Sequence, residues 1–466
     1  MKPLKIAYIG GGSKMWARVF QNDLALADGL FGEIALYDID GDAAKRNQLI
    51  GERIEQCPNC VAQWKYQVYK EIEPALKNAD FVIISILPGT FAEMQSDVHA
   101  PEKYGIWQSV GDSAGPGGVL RAMRTVPIYE MFANKIKAIC PSAWVINFTN
   151  PMSICTKTLY DVFPGIKAFG CCHEVFHAQE FLCAVIHETL GIDRPSRKEI
   201  ITDVSGINHF TWITKATYQD IDIFSLLPRF IDRFYEQGYS EYEDHEAWKK
   251  DYFSYGNKVK ENLFLRYGVL AAAGDRHLAE FVNNKWYLGS PQEVKEWQFS
   301  LTPVSFRITQ MKERIQESIE LAEGRKPIVL KKSAEEAVDL IKAILGFGSV
   351  TSNVNLPNNE QMPGYPIGSI VETNCVFSLD SVKPIQANAL PPAVHNLVLR
   401  NCLNIDELYE GIKARSLDRV FAAFVDQPLC SVLSLKDART LFVEMMINTR
   451  NYLDDFFDLE NWINKQ

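Results

Sequence analysis

The chain lacks several features that would define whole classes of protein. No apolar run approaches the roughly 18 residues a membrane helix needs, so no membrane partner is expected. No cluster of Lys or Arg appears, and the formal charge is −10. Clustered cations are what a phosphate backbone requires, so nucleic acid is not an expected partner either. Nothing like a leader peptide precedes the first apolar run, because Lys2-Pro3-Leu4-Lys5-Ile6 passes straight into a strand pattern. A cytoplasmic location is the expectation. Ten cysteines are present without a paired framework, and in such a compartment they are expected to be reduced and mostly buried. Cys57-Pro58-Asn59-Cys60 has half-zinc or thioredoxin-like spacing, but no second pair lies near it and it reads as a loop. Repeats and low-complexity linkers are missing too.

What is present is alternation. Leu4–Ile9 is a short apolar run ending in Gly10-Gly11-Gly12-Ser13, and Trp16, Phe20 and Leu24 then recur at helical spacing. Further buried-strand patterns follow at Ile34–Tyr37, Phe81–Ile86, Trp144–Phe148 and Ala168–Phe169. Strands alternating with helices predict a parallel sheet with right-handed crossovers. The expected fold is therefore α/β: a Rossmann-type doubly wound parallel sheet over residues 1–190, then an α+β domain over 191–466. A length of 466 residues agrees with two domains. The helical segment after Gln310 and the helix-rich stretch Asp406–Phe457 belong to the second.

Gly10, Gly11, Gly12 and Ser13 stand between a strand and a helix, where a tight backbone turn can approach a pyrophosphate at a helix N-terminus. The third glycine of the usual fingerprint is missing, and Met15 stands there. Asp38 closes the second strand, where a carboxylate can accept both ribose hydroxyls and would repel a 2′-phosphate. NAD is favoured over NADP; a glycine turn without a cofactor is the alternative.

Two other segments carry chemistry: Gly170-Cys171-Cys172-His173-Glu174-Val175 and Gly206-Ile207-Asn208-His209-Phe210. A thiolate at Cys172 and an imidazole at His209 could share a divalent ion and leave positions open for substrate oxygens. By spacing alone, such residues are more often core.

These segments are joined by Lys103-Tyr104-Gly105, Gly115-Pro116-Gly117-Gly118, Asn147-Phe148-Thr149-Asn150-Pro151 and Val354-Asn355-Leu356-Pro357-Asn358-Asn359. Together they make the chain resemble glycoside hydrolase family 4, the NAD- and manganese-dependent glycosidases, along nearly its whole length. That family shares its scaffold with lactate and malate dehydrogenases. The resemblance implies Cys172 and His209 as metal ligands, and Asn150 as a contact to substrate beside the nicotinamide. Cys172-His173-Glu174-Val175 resembles the group acting on α-galacturonides. Phosphosugar members carry Asp or Asn after the cysteine and an arginine near Met94; this chain has neither.

The resemblance also implies the chemistry. NAD takes hydride from C3 of the sugar, a base removes the acidified C2 proton, and the C1 oxygen leaves by elimination. Water then adds, and the hydride returns. Tyr267 is the expected base and His173 the expected acid. Glu174, Asn208, Arg266 and His277 are expected at the sugar with Asn150, and His277 has Glu280 beside it. Arg266, Arg276 and Arg124 are the candidate cations for a uronate carboxylate. Glu174 is awkward there, since it would repel that group unless paired. A glycoside is the expected small-molecule partner, and a homodimer or homotetramer the expected assembly. The alternatives are a family 4 α-glucosidase, α-galactosidase or α-glucuronidase, a 2-hydroxyacid dehydrogenase, and an NAD-binding sensor without turnover.

Overall fold

The computed structural model describes residues 2–240 and 247–464. Its first half forms six parallel strands: β1 (Leu4–Ile9), β2 (Phe31–Tyr37), β3 (Gln63–Tyr69), β4 (Phe81–Ile84), β5 (Trp144–Asn147) and β6 (Lys167–Gly170), in the order β3-β2-β1-β4-β5-β6. This is the Rossmann-type order, with the strand sequence reversing between β1 and β4. All four residues of β4 are buried, as a strand covered on both faces requires. The two-residue period sorts the faces. Ile6, Tyr8, Ile34, Leu36, Phe81 and Ile83 enter one core with the helix Ala337–Ile344, while Ala7, Ile9, Val82, Ile84 and Val145 enter another with Tyr129, Phe132 and Ile136 of the helix Gly115–Ile139.

A second, antiparallel sheet follows, made of β7 (Ile200–Ile207), β8 (Phe210–Tyr218), β9 (Ile221–Asp222) and β10 (Leu270–Ala271). The first sheet does not end with the first 190 residues. β11 (Val350–Pro357) joins the edge of β6 antiparallel at Asn355 and Gly170, and β12 (Ile370–Ser378) and β13 (Ser381–Pro384) extend the sheet to nine strands. The two halves of the chain therefore share one sheet. The helices Pro392–Lys413, Leu417–Val425 and Leu435–Asn448 form the largest apolar core with Val119, Leu120 and Met123 of the helix Gly115–Ile139, and Phe210 and Trp212 of β8 belong to it too. That core fixes the hairpin β7–β8 against the nucleotide-type sheet. Among the described residues no helix is long and apolar enough to cross a membrane.

Candidate active site

The glycine loop after β1 lies at the point where the strand order reverses. Gly10 has φ +91°, and a Cβ there would lie 2.0 Å from the Ser85 carbonyl oxygen, so glycine is needed both for conformation and for space. Gly10 and Gly11 both donate their N–H to the Tyr37 carbonyl at 2.9 Å. Asn47 holds the loop from behind, donating to the Gly11 and Ser13 carbonyls at 2.7 and 2.8 Å. The Ser13 hydroxyl accepts from Trp16 N at 3.1 Å, at the start of the helix Trp16–Ala25. Asp38 accepts from Gly12 N at 2.7 Å and Asp40 N at 2.8 Å, which anchors the end of β2 to the loop.

Downstream of β4, β5 and β6, at the carboxyl edge, several loops converge with the β7–β8 hairpin. The hairpin turn is only Asn208-His209, since Ile207 pairs with Phe210, and His209 takes φ +63°. A turn this short needs a positive φ, and the fold spends that strained position on a histidine. The His209 and His277 rings lie 3.8 Å apart between centroids. Asp112 Oδ1 stands 4.0 Å from His209 Nδ1. The donor atoms of Asp112, His209 and His277 all lie within 4.8 Å of one another.

This trio fits a divalent ion. Two donors each about 2.1 Å from an ion lie roughly 3 to 4.2 Å apart. His209 Nδ1 is buried with no hydrogen-bond partner, as a metal-facing nitrogen should be. Burial lowers the pKa of both imidazoles, with His209 pushing His277 down to about 3, so both rings are neutral and able to ligate. Burial opposes charge on Asp112, but Arg121 and the other groups around it together outweigh burial and hold its carboxyl below the usual range. Asn150 donates to Asp112 Oδ2 at 3.2 Å, which brings that expected substrate contact into the cluster.

The loop carrying Asp112 is clamped from the other side. Glu280 accepts from Val110 N at 2.7 Å and Gly111 N at 3.0 Å, and Arg276 donates to the Ser109 carbonyl at 2.7 Å. Glu174 opens the helix Glu174–Leu190 and accepts from Gly274 N at 2.6 Å, with His277 Nε2 at 3.8 Å. One oxygen of its carboxylate is thereby held by a backbone N–H. His173 sits between the two parts of the site: its ring is 5.6 Å from that of Trp16, which follows the glycine loop, and its Nε2 is 3.8 Å from Glu174.

Four of the expected site residues have other partners. Cys172 is outside the trio; its thiol is hydrogen-bonded with Asn208, and burial together with Glu372 and Glu174 raises its pKa well above the usual value. Tyr267 ends the helix Lys258–Tyr267, whose first turn is held by the Asp275 carboxylate through Val259 N and Lys260 N. The Tyr267 ring, about two helical turns further on, packs edge-on against Trp212. Arg266 is exposed beside Tyr267 and stacks over Trp286 at 4.6 Å. Arg124 is committed to a buried pair with Asp97 at 2.5 Å.

Sequence reasoning missed Asp112 and Tyr255. A Cβ on Gly274 would lie 2.8 Å from the Tyr255 hydroxyl, so that phenol stands against the segment that anchors Glu174. Asp112 lies in a Gly-Asp-Ser loop with no spacing signal; its only hint was the glycine run that follows. Glu372 was also missed: it accepts from Asn353 at 2.6 Å and contacts Asn208, and burial pushes it up to about 7.

The fold and site together define a class: an enzyme with a Rossmann-type sheet set against a cluster of metal-ready donors. Residues 5–188 match the family 4 glycosyl hydrolase model, and residues 204–430 match that family's C-terminal domain. The chain belongs to family 4 of the glycosyl hydrolases and is a glycoside hydrolase, which sets aside a 2-hydroxyacid dehydrogenase. It is 50% identical to the α-galacturonidase of Thermoanaerobacterium saccharolyticum, over 97% of each chain. It is 44% identical to that of Bacillus subtilis, over 95% of this chain and 97% of the relative. The crystal structure of the Bacillus subtilis protein lplD, described as a glucosidase, is similar with a TM-score of 0.91 and 43% identity, covering 96% of this chain and 100% of that one. A 6-phospho-α-glucosidase solved with NAD and Mn2+ shares the fold at a TM-score of 0.80 and 17% identity, over 97% of this chain and 99% of that one.

Proposed function

We propose that the protein hydrolyses α-galacturonides with the help of NAD and a divalent metal ion, Mn2+ being the first candidate. The observation that carries this reading is the meeting of Asp112, His209 and His277 beside Glu174 at the carboxyl edge of the nucleotide-type sheet. High identity to named α-galacturonidases along nearly the whole chain supports the substrate. Gly10, Gly11, Gly12, Ser13 and Asp38 would hold the dinucleotide, while Asp112, His209 and His277 would hold the ion, with Cys172 at their margin. When bound, NAD accepts and returns hydride at the sugar's C3 and the ion polarises neighbouring sugar oxygens.

The chain's own groups move the protons. Tyr255 takes the base role in place of Tyr267, removing the proton from C2 once the neighbouring carbon is a ketone. His173 protonates the departing glycosidic oxygen, so the proton lost at C2 is matched by one gained at the leaving group. Water then supplies the new C1 hydroxyl and restores the proton to His173, and Tyr255 returns its proton to C2. Asn150 and Asn208 each keep a buried Oδ1 without a hydrogen-bond partner, suited to a sugar hydroxyl. Ten free cysteines agree with a reducing, cytoplasmic setting. A homodimer or homotetramer is part of the reading, and light scattering checks it.

The test is a panel of p-nitrophenyl α-glycosides assayed with NAD, Mn2+ and a thiol reductant in D2O. The α-galacturonide should be cleaved fastest, and the product should carry deuterium at C2. A faster α-glucoside, α-galactoside or α-glucuronide would move the substrate. Product without C2 deuterium would remove the elimination route.

A further inference from the structure

A uronic acid brings a carboxylate that a neutral glycoside lacks. In a partly buried site a cation whose hydrogen-bonding face is not already taken holds that group best. Arg124 faces Asp97. Arg276 uses Nη2 on the Ser109 carbonyl and the Thr302 hydroxyl, which ties it to the Asp112 loop. Arg121 donates from Nε to the Asn150 carbonyl at 3.2 Å, and its charge serves Asp112.

Arg307 differs from all three. It sits in the first turn of the helix Val304–Glu323 and is only partly exposed. Its guanidinium lies 5.4 Å over the Phe253 ring, the same ring that Arg276 covers at 5.1 Å. Among the described residues its guanidinium makes no hydrogen bond and no ion pair. The charges acting on it are Arg276, Asp112, Arg121 and Glu280, all groups around the trio; burial and Arg276 together push it down to about 10. A guanidinium withdrawn from water without a partner is unfavourable by itself, and an incoming anion relieves that cost.

We propose that Arg307, oriented by the Phe253 ring and backed by Arg276, binds the C6 carboxylate of the sugar and sets the preference for uronides. This rests on the galacturonide reading and deepens it. The planar guanidinium matches a carboxylate with two parallel hydrogen bonds, and stacking on Phe253 fixes the plane of the fork. Lysine cannot reproduce either property.

The test is calorimetric titration of the NAD- and Mn2+-loaded enzyme with D-galacturonate and with D-galactose, for wild type, Arg307→Gln and Arg307→Lys. Loss of a charge-assisted pair should raise the galacturonate Kd of Arg307→Gln at least about 30-fold. Arg307→Lys should fall between the two, and the galactose and NAD affinities should not move. A galacturonate Kd unchanged in Arg307→Gln, with wild type still preferring galacturonate, overturns the assignment of Arg307 alone. Equal weakening of galactose in both variants overturns it as well, because the residue would then be shaping the pocket. A wild type that does not prefer galacturonate overturns the galacturonide reading and this proposal with it.

Discussion

Glu280 links the stability of the fold to the placement of Asp112, and the link can be measured. Its carboxylate is buried and accepts from Val110 N and Gly111 N, the two residues before Asp112. Burial pushes its carboxyl from the usual 4.5 up to about 7, against the pull of those two N–H groups. A folded pKa above the unfolded one means that the native state keeps the proton where the unfolded chain has released it. Stability from this group is therefore complete below pH 4.5, declines as the pH rises, and is lost above about 7. A difference of that size is worth about 3 kcal/mol. Unfolding entropy of about 2 cal/mol/K per residue turns this into a Tm change of about 3 °C for a chain of this length. Glu280→Gln removes the ionisation and keeps an acceptor for both N–H groups. Calorimetry in EDTA, at steps from pH 4.5 to 8, should show the variant gaining about 3 °C on wild type across that range. A variant-minus-wild-type difference that stays constant with pH refutes the reasoning.

Gly10→Ala should abolish NAD binding, because the new Cβ would lie 2.0 Å from the Ser85 carbonyl oxygen in a backbone of φ +91°; fluorescence titration checks this, with Mn2+ affinity as the control expected to hold. Tyr255→Phe should suppress exchange of the C2 proton with solvent while Tyr267→Phe leaves it intact, and NMR of product formed in D2O decides between them. Arg124→Ala should destabilise the apoenzyme by about 3–5 kcal/mol, since it leaves the buried Asp97 carboxylate without its partner; urea unfolding gives the value, and a loss under about 1 kcal/mol counts against a strong pair.

Much of the nucleotide-type domain was legible because its signals are local. A glycine turn after an apolar run and an acid at the end of the next strand sit close together in the chain; in the fold Asp38 receives the Gly12 N–H. β3 was less visible: Gln63-Trp64-Lys65-Tyr66 alternates polar and apolar residues at a sheet edge, without the continuous apolar run of β4. The joining of β11 to β6 could not be read at all, because strand pairing across nearly 200 residues depends on which edge is left open. The same limit governs the site. His209 was found through its motif, but its neighbour His277 lies 68 positions later and its distance from His209 is fixed only by the second sheet. Tyr267 was singled out by its motif alone; its packing against Trp212 depends on how the second sheet and its helix meet. Asp112 carries no pattern; contacts distant in sequence, from Glu280, Arg276 and Asn150, hold its loop at the histidines.

What the His209 imidazole faces decides whether the trio is a metal site. Crystals grown with NAD and Mn2+, with diffraction recorded at the manganese absorption edge, give the most direct reading. The account predicts an anomalous peak bonded to the His209 imidazole and to Asp112 or His277. A manganese peak elsewhere in the chain, with the His209 ring bound to no ion, would contradict it.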